Sequence, residues 1–174
     1  IGAYFVVAQL EVPFEAIEQA FKIARKQNIT TVLNPAPAIE LPKSLLELTD
    51  IIIPNETEAE LLTGISINNE SDMKETATYF LDLGISAVLI TLGEQGTYCA
   101  YQEQYKMIPA CNVKAVDTTA AGDTFIGAFL SELNKDLSNL ESAIRLANQA
   151  SSLTVQRKGA QASIPTRKEV EAEY

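Results

Sequence analysis

Apolar runs of strand length alternate along the chain with stretches whose apolar residues recur every three or four positions. The runs YFVVAQLE, TTVLNP, DIIIPN and SAVLITLG are short and nearly continuous in apolar character, as strands covered on both faces are. Helical spacing covers Phe14 to Gln27, Glu56 to about Leu62 and Ser71 to Leu83. This rhythm predicts βαβ units around a parallel sheet. The later stretch GTYCAYQEQYKMIPA alternates in polarity about a turn near Gln102 to Gln104, which predicts an antiparallel hairpin at the sheet's edge. Helices are expected at about Asp123 to Leu133 and Leu140 to Val155, then a loop, RKGAQASIP, and a short closing helix from Thr166. No internal repeat or low-complexity linker interrupts the pattern.

Polar residues collect where these strands end: Glu11 after the first, Asn34 after the second, Asn55 and Glu58 after the third, Thr91 and Gly93 after the fourth. Open α/β sheets bind ligands just beyond the carboxyl ends of their strands, so one cleft is expected there.

Composition narrows the possible chemistry. With 174 residues, one domain with a full core is expected, and 47% hydrophobic against 21% charged residues is the balance of a globular protein. No apolar run approaches the roughly 18 residues of a membrane span. A net charge of −10 and a pI near 4.5 argue against nucleic acid or an anionic membrane as partner, and the pair Arg157 and Lys158 is too small to override that field. Histidine is absent, which removes Ser-His-Asp and Cys-His catalysis and histidine metal sites and leaves acid–base work to Asp, Glu, Lys or Tyr. Cys99 and Cys111 lack metal-ligand spacing and suit a reducing, cytoplasmic setting. The chain opens inside an apolar, β-rich run without Met or a signal-type segment, so it is expected to be part of a longer protein.

Each candidate motif admits a structural and a functional account. In VDTTAAGDTF, an Asp or Thr cap could start a closely packed helix. Equally, Ala120, Ala121 and Gly122 could present first-turn N–H groups to a phosphate, with Asp123 accepting the proton of an attacking hydroxyl. In PNETEAELLTG, Asn55 could cap a helix that Glu58 favours and Gly64 terminates, or Asn55 and Glu58 at i and i+3 could position hydrated Mg²⁺ with a triphosphate. TLGEQG, Thr91 through Gly96, is a strand-to-hairpin turn or a glycine loop approaching nucleotide phosphates. VQRKGAQASIP is a helix exit closed by Gly159, or a set of carbonyls around a cation. NPAPA reads as a loop stiffened by Pro35 and Pro37.

Taken in order, QLE, NPAPA, IIIPNETEAELLTG, VLITLGEQG, VDTTAAGDTF and RKGAQASIP resemble the ribokinase (PfkB-type) sugar kinase family across nearly the whole chain, DTTAAGDTF being the specific piece. The resemblance implies a Rossmann-like α/β/α sandwich whose mainly parallel sheet carries an antiparallel edge hairpin. Residues 1 to 174 would form its carboxyl-terminal nucleotide-binding and catalytic part, and the lid and amino-terminal half would lie outside them. The implied reaction moves the γ-phosphate of ATP to the 5-hydroxyl of D-ribose. Fructokinase, adenosine kinase, pseudouridine kinase or a non-catalytic nucleotide-binding module are the alternatives. By the same resemblance Asp123 is the catalytic base, and Ala120, Ala121 and Gly122 form an anion hole. Asn55, Thr91, Leu92, Gly93, Glu94, Gln95, Gly96, Gly122 and Asn148 meet the nucleotide, with Asn148 beside the adenine. Glu58 organises Mg²⁺ and Glu11 touches the sugar, as does Asp123. Asp117, Thr119, Thr154, Arg157, Gly159 and Ser163 form a loop for K⁺ that orders the anion hole. The resemblance further implies a homodimer in the complete protein and an inactive isolated segment.

Overall fold

Every short apolar run becomes a strand of one six-stranded sheet, and the strands stand side by side in chain order, β1 to β6. The computed structural model describes residues 2–173. Strands β1 (Phe5–Ala8), β2 (Thr30–Leu33), β3 (Ile51–Ile52) and β4 (Ala87–Thr91) are parallel, in a register that pairs Ala8 with Leu33, Leu33 with Ile52 and Ile52 with Val88. β5 (Gly96–Tyr101) and β6 (Gln104–Pro109) complete the sheet. Their connections are too short for crossovers, so they run antiparallel to their predecessors. Gln102 and Glu103, the two residues between β5 and β6, have φ of 49° and 62°. That pair of left-handed residues makes a type I′ turn, whose twist matches the strands.

Two compact units divide the chain: residues up to Leu92 with Tyr98–Met107, and Gly93–Thr97 with Ile108 onward. In the first unit, α1 (Phe14–Lys26), α2 (Lys43–Glu47), α3 (Glu56–Thr63) and α4 (Glu70–Asp82) connect parallel neighbours. Right-handed crossovers between strands in sequential order place every connecting helix on one face. Accordingly Ile17 and Phe21 of α1, Leu45 and Leu46 of α2, Ala59 of α3, and Met73, Ala77 and Phe80 of α4 share one core with Leu33, Ile52, Val88 and Ile90. The alternate residues Val32, Ile51, Ala87 and Leu89 are equally dry, as the unbroken apolar runs predict. Edge strand β1 is the exception, with Val7 43% exposed.

In the second unit, α5 (Ala121–Glu132) packs on α6 (Leu140–Thr154), and α6 on α7 (Arg167–Glu173). α6 turns Ala143, Ile144, Ala147, Ala150 and Leu153 inward at helical spacing, and Val170 of α7 closes over Ala150 and Leu153. Helix α2 has no counterpart in the sequence pattern, the other helix boundaries lie within two residues of expectation, as when α5 starts at Ala121, and β1 and β3 end three residues before their apolar runs do. No helix is long and apolar enough to cross a membrane, among the described residues.

Candidate active site

Parallel register brings the carboxyl ends of β1 to β4 to one edge of the sheet, and the polar residues expected there follow it. The buried Asn34 ties three of these ends together. Its Oδ1 accepts from Gln9 Nε2 at 2.8 Å, its Nδ2 donates to the Ile53 carbonyl at 2.8 Å, and its N–H donates to the Ala8 carbonyl at 3.0 Å. Glu11 is exposed beyond β1. Asn55 and Thr91 form an isolated parallel bridge just past β3 and β4, and the Thr91 N–H reaches the Pro54 carbonyl at 2.9 Å.

Asn55 caps α3 in full. Its Oδ1 accepts from the Glu58 N–H at 2.9 Å, and Glu58 answers with Oε2 accepting from the Asn55 N–H at 2.9 Å and Oε1 from Asn55 Nδ2 at 3.0 Å. This is the capping box, closed at the far end by Gly64 with φ 74°. Glu58 is only 5% exposed, and that burial raises its carboxyl above the ordinary range, while the Asn55 N–H opposes the shift. Both of its oxygens are engaged but keep lone pairs, so the carboxylate fits a hydrated Mg²⁺ held through water rather than a directly caged ion.

The TLGEQG segment leaves β4 through a single 3₁₀ turn, Gly93–Gln95, exposed along its length. Gly93 has φ 55° and Gly96 φ 114°, and Gly96 lies against the Ile108 carbonyl and the Pro109–Ala110 backbone so closely that no side chain fits.

The second group of residues surrounds the start of α5. Ala120, its N-cap residue, is left-handed at φ 63°, a conformation that is strained for alanine by roughly 1–2 kcal/mol. No side chain caps this helix. The Ala121 N–H turns back to the Thr118 carbonyl at 3.2 Å, while Gly122 occupies a first-turn position, where N–H groups lack an acceptor one turn earlier. The dipole of α5 adds to their pull on an anion. Asp123 is exposed and borders a cavity of about 320 Å³ that runs past Gly127 and Ser131. From behind, Ser151 Oγ of α6 donates to the Ala121 carbonyl at 2.8 Å, and Thr154 Oγ1 donates to Thr124 Oγ1 at 3.0 Å. Because the Ala121 carbonyl and the Gly122 N–H belong to one peptide unit, the Ser151 bond polarises that N–H toward an anion.

Asp117 fastens the turn before Ala120. Its Oδ1 accepts from the Thr119 N–H at 3.0 Å and its Oδ2 from the Gly159 N–H at 3.0 Å. The Thr119 side chain and these two N–H groups hold its carboxyl down at about 2, so Asp117 is ionised throughout the physiological range. Val116 and Asp117 both donate to the Val155 carbonyl, at 2.7 and 3.1 Å. Of the loop beyond, Gly159 is left-handed at φ 100°, buried Ser163 donates its Oγ to the Ala160 carbonyl at 2.6 Å, and Arg157 pairs with Glu169 at 2.8 Å. The fixed Asp117 carboxylate and the backbone carbonyls beside it are oxygen donors, the kind that can replace the hydration shell of K⁺. Thr154 uses its hydroxyl inside the helix pair, so any share in such a site falls to its backbone. The Arg157 side chain is likewise committed, to Glu169, so any share it had would be a main-chain one. The described residues contain no cluster of His, Cys, Asp or Glu that would cage a metal by side chains alone.

Residues 2–167 match the model of the pfkB family carbohydrate kinases. The chain belongs to this family. It is 64% identical over 170 residues to ribokinase of Staphylococcus aureus (strain COL), covering 98% of this chain and 56% of that protein. Against ribokinase of Haemophilus influenzae it is 46% identical over 164 residues, covering 94% and 53%. The solved structure of Arabidopsis thaliana ribokinase complexed with ribose and ATP superposes with a TM-score of 0.91 at 34% identity, covering 98% of this chain and 55% of that one. The pfkB chain described here thus spans about half the length of the curated relatives it matches.

Within this pfkB chain, Asn148 is a helix residue whose side chain points into the protein. It is buried in the middle of α6, and its amide is engaged with Thr97, Ile108 and Pro109. Nothing in the sequence pattern marks Thr97, Ser151 or Gln9. Asn34 is marked only by its position after a strand.

Proposed function

We propose that residues 1–174 are the carboxyl-terminal nucleotide-binding and catalytic part of an ATP-dependent ribokinase, which converts D-ribose and ATP to ribose 5-phosphate and ADP. The observation that carries this reading is the start of α5, where an uncapped first turn presents the Gly122 N–H and Asp123 follows one residue on. The 64% identity to a ribokinase and the likeness to a structure holding ribose and ATP favour ribose over fructose or a nucleoside as acceptor.

Each residue group has a part. Asp123 accepts the proton of the 5-hydroxyl as its oxygen attacks the γ-phosphorus. The N–H of Gly122, with Ala120 and Ala121 shaping the turn, holds the charge that gathers on the transferring phosphoryl oxygens. Glu11 orients the sugar. Asn55 and Thr91 through Gly96 form the nucleotide side, and Asn148 backs it from α6 with its amide committed to Thr97, Ile108 and Pro109. Mg²⁺, when bound near Glu58, neutralises triphosphate charge. K⁺, when bound beside Asp117, Thr119 and the Thr154 to Ser163 segment, keeps the turn before Ala120 in place. The complete protein, on this reading, adds a lid and an amino-terminal half, forms a homodimer and works in the cytoplasm.

The test is ADP release by the protein expressed from its complete reading frame, with ribose, fructose, adenosine and pseudouridine offered in turn. Ribose is expected to give the highest kcat/KM. Asp123→Asn should lower kcat by roughly 10²–10⁴ while ATP affinity changes only a few-fold, the usual worth of a general base. Residues 1–174 alone should bind Mg·ATP weakly and leave ribose unphosphorylated. Near-normal turnover in the Asn variant removes Asp123 from the chemistry, and no sugar-dependent turnover in the complete protein leaves a non-catalytic nucleotide module.

A further inference from the structure

The Gly93–Gln95 turn is exposed, yet the backbone just after it, at Gly96 and Thr97, is among the most tightly fixed in its unit. Gly96 abuts the backbone of Ile108, Pro109 and Ala110. The next residue, Thr97, is fully buried and donates its Oγ1 to Asn148 Oδ1 at 2.9 Å. The same amide uses Nδ2 to reach the Ile108 carbonyl at 3.0 Å and the Pro109 carbonyl at 3.2 Å. One α6 side chain therefore holds the first residues of β5 and the last residues of β6 together. The Ala110 N–H, whose nitrogen lies 3.4 Å from the Gln95 carbonyl oxygen, extends the same closure to the turn itself.

A buried amide with its donors and acceptor engaged in this way fixes where the preceding glycine turn can point. We infer that Thr97 is a positioning residue: its hydrogen bond to Asn148 is a buried latch that sets the exit of the Gly93–Gly96 nucleotide loop and so tunes nucleotide affinity without Thr97 touching the nucleotide. The inference rests on the reading of that loop as a nucleotide loop. Thr97→Val removes one hydroxyl with almost no change of volume and leaves Asn148 Oδ1 without its donor, while Thr97→Ser keeps the hydroxyl.

The experiment is calorimetric titration of Mg·ATP into residues 1–174 and into three variants, with melting temperatures measured alongside. Thr97→Val should weaken binding about ten-fold, and Thr97→Ser should stay within roughly three-fold of the parent, the scale of one net hydrogen bond. Val170→Ala removes buried side chain from the α6–α7 contact in the same unit and serves as the control for general destabilisation. It should lower the melting temperature at least as much as Thr97→Val and leave Mg·ATP affinity unchanged. Parent-like affinity in Thr97→Val overturns the latch while leaving the nucleotide loop standing, as does an equal loss of affinity in Val170→Ala. No Mg·ATP binding by the parent chain overturns the nucleotide-loop reading, and the latch with it.

Discussion

Gly96→Ala offers a sharp measure of how tightly the nucleotide loop is anchored. A Cβ on Gly96 would stand 2.6 Å from the Ala110 nitrogen and 2.7 Å from the Pro109 carbonyl carbon, and nearer still to the Ile108 carbonyl oxygen. All three are backbone atoms, so no side chain can swing away. The residue also sits at φ 114°, where an L side chain is strained by roughly 1–3 kcal/mol. Overpacking of a fixed site adds about 1–3 kcal/mol. Together they predict a loss of about 2–6 kcal/mol against the roughly 5–15 typical of a folded domain. With a urea slope of about 2 kcal/mol/M, a loss near 4 kcal/mol moves the unfolding midpoint down by about 2 M. Gly93→Ala is the internal comparison: it is also left-handed, at φ 55°, but nothing lies within 4 Å of its added Cβ. It should cost only about 1–2 kcal/mol, hence a shift of roughly 0.5–1 M. Urea titrations of the two variants, followed by far-UV circular dichroism, decide the matter. Equal midpoints for the two would show that the β6 backbone yields at Gly96, and that the closure between β5 and β6 is soft.

Thr76 Oγ1 is buried in α4 without a hydrogen-bond partner, so Thr76→Val should stabilise the chain by about 1 kcal/mol, read as a higher urea midpoint; a lower one would mean that the hydroxyl has a partner after all. Asp117 has a folded value of about 2, below its ordinary 3.8, so its stabilising contribution is present above pH 3.8 and lost as the pH falls through about 2. Asp117→Asn should accordingly melt below the parent at pH 7 and converge with it toward pH 2, whereas a constant gap would detach the stability from the carboxylate's charge. In the protein from the complete reading frame, replacing Na⁺ or Li⁺ by K⁺ at constant ionic strength should raise kcat, and identical rates in the three chlorides would remove the cation role of the Asp117 turn.

Much of this architecture is legible without coordinates because local chemistry decides it. The strands announce themselves as unbroken apolar runs since both faces are dry, and Asn55 and Glu58 stand at the spacing that a capping box requires. Helix α2 escapes the pattern because KSLLE is barely one turn, follows Pro42 and has no side-chain cap, so neither periodicity nor a start signal marks it. Alternation locates the hairpin turn but hides its type, since Gln102 and Glu103 are poor hosts for positive φ. Ala120 is hidden for the same reason: nothing in an alanine foretells a left-handed cap. Asn148 shows the other limit, because its partners Thr97 and Ile108 lie 51 and 40 positions away and only the folded chain brings them together. Residues whose roles are set by their neighbours in sequence can be read; those set by neighbours in space cannot.

The sequential order of the strands has a consequence for how this sheet comes into being. Each parallel strand pairs with the one made just before it: Phe5 meets Thr30, Val32 meets Ile51, and Ile51 meets Ala87. Among the described strands each of these partners is a neighbour in sequence order, and each added βα step offers an edge that the next strand caps. A chain emerging amino end first from the ribosome can therefore lay down these strands by accretion, each closure spanning one βα connection rather than the whole sheet. The hairpin of β5 and β6 comes last, and its tight turn ends the growth by reversing the chain's direction.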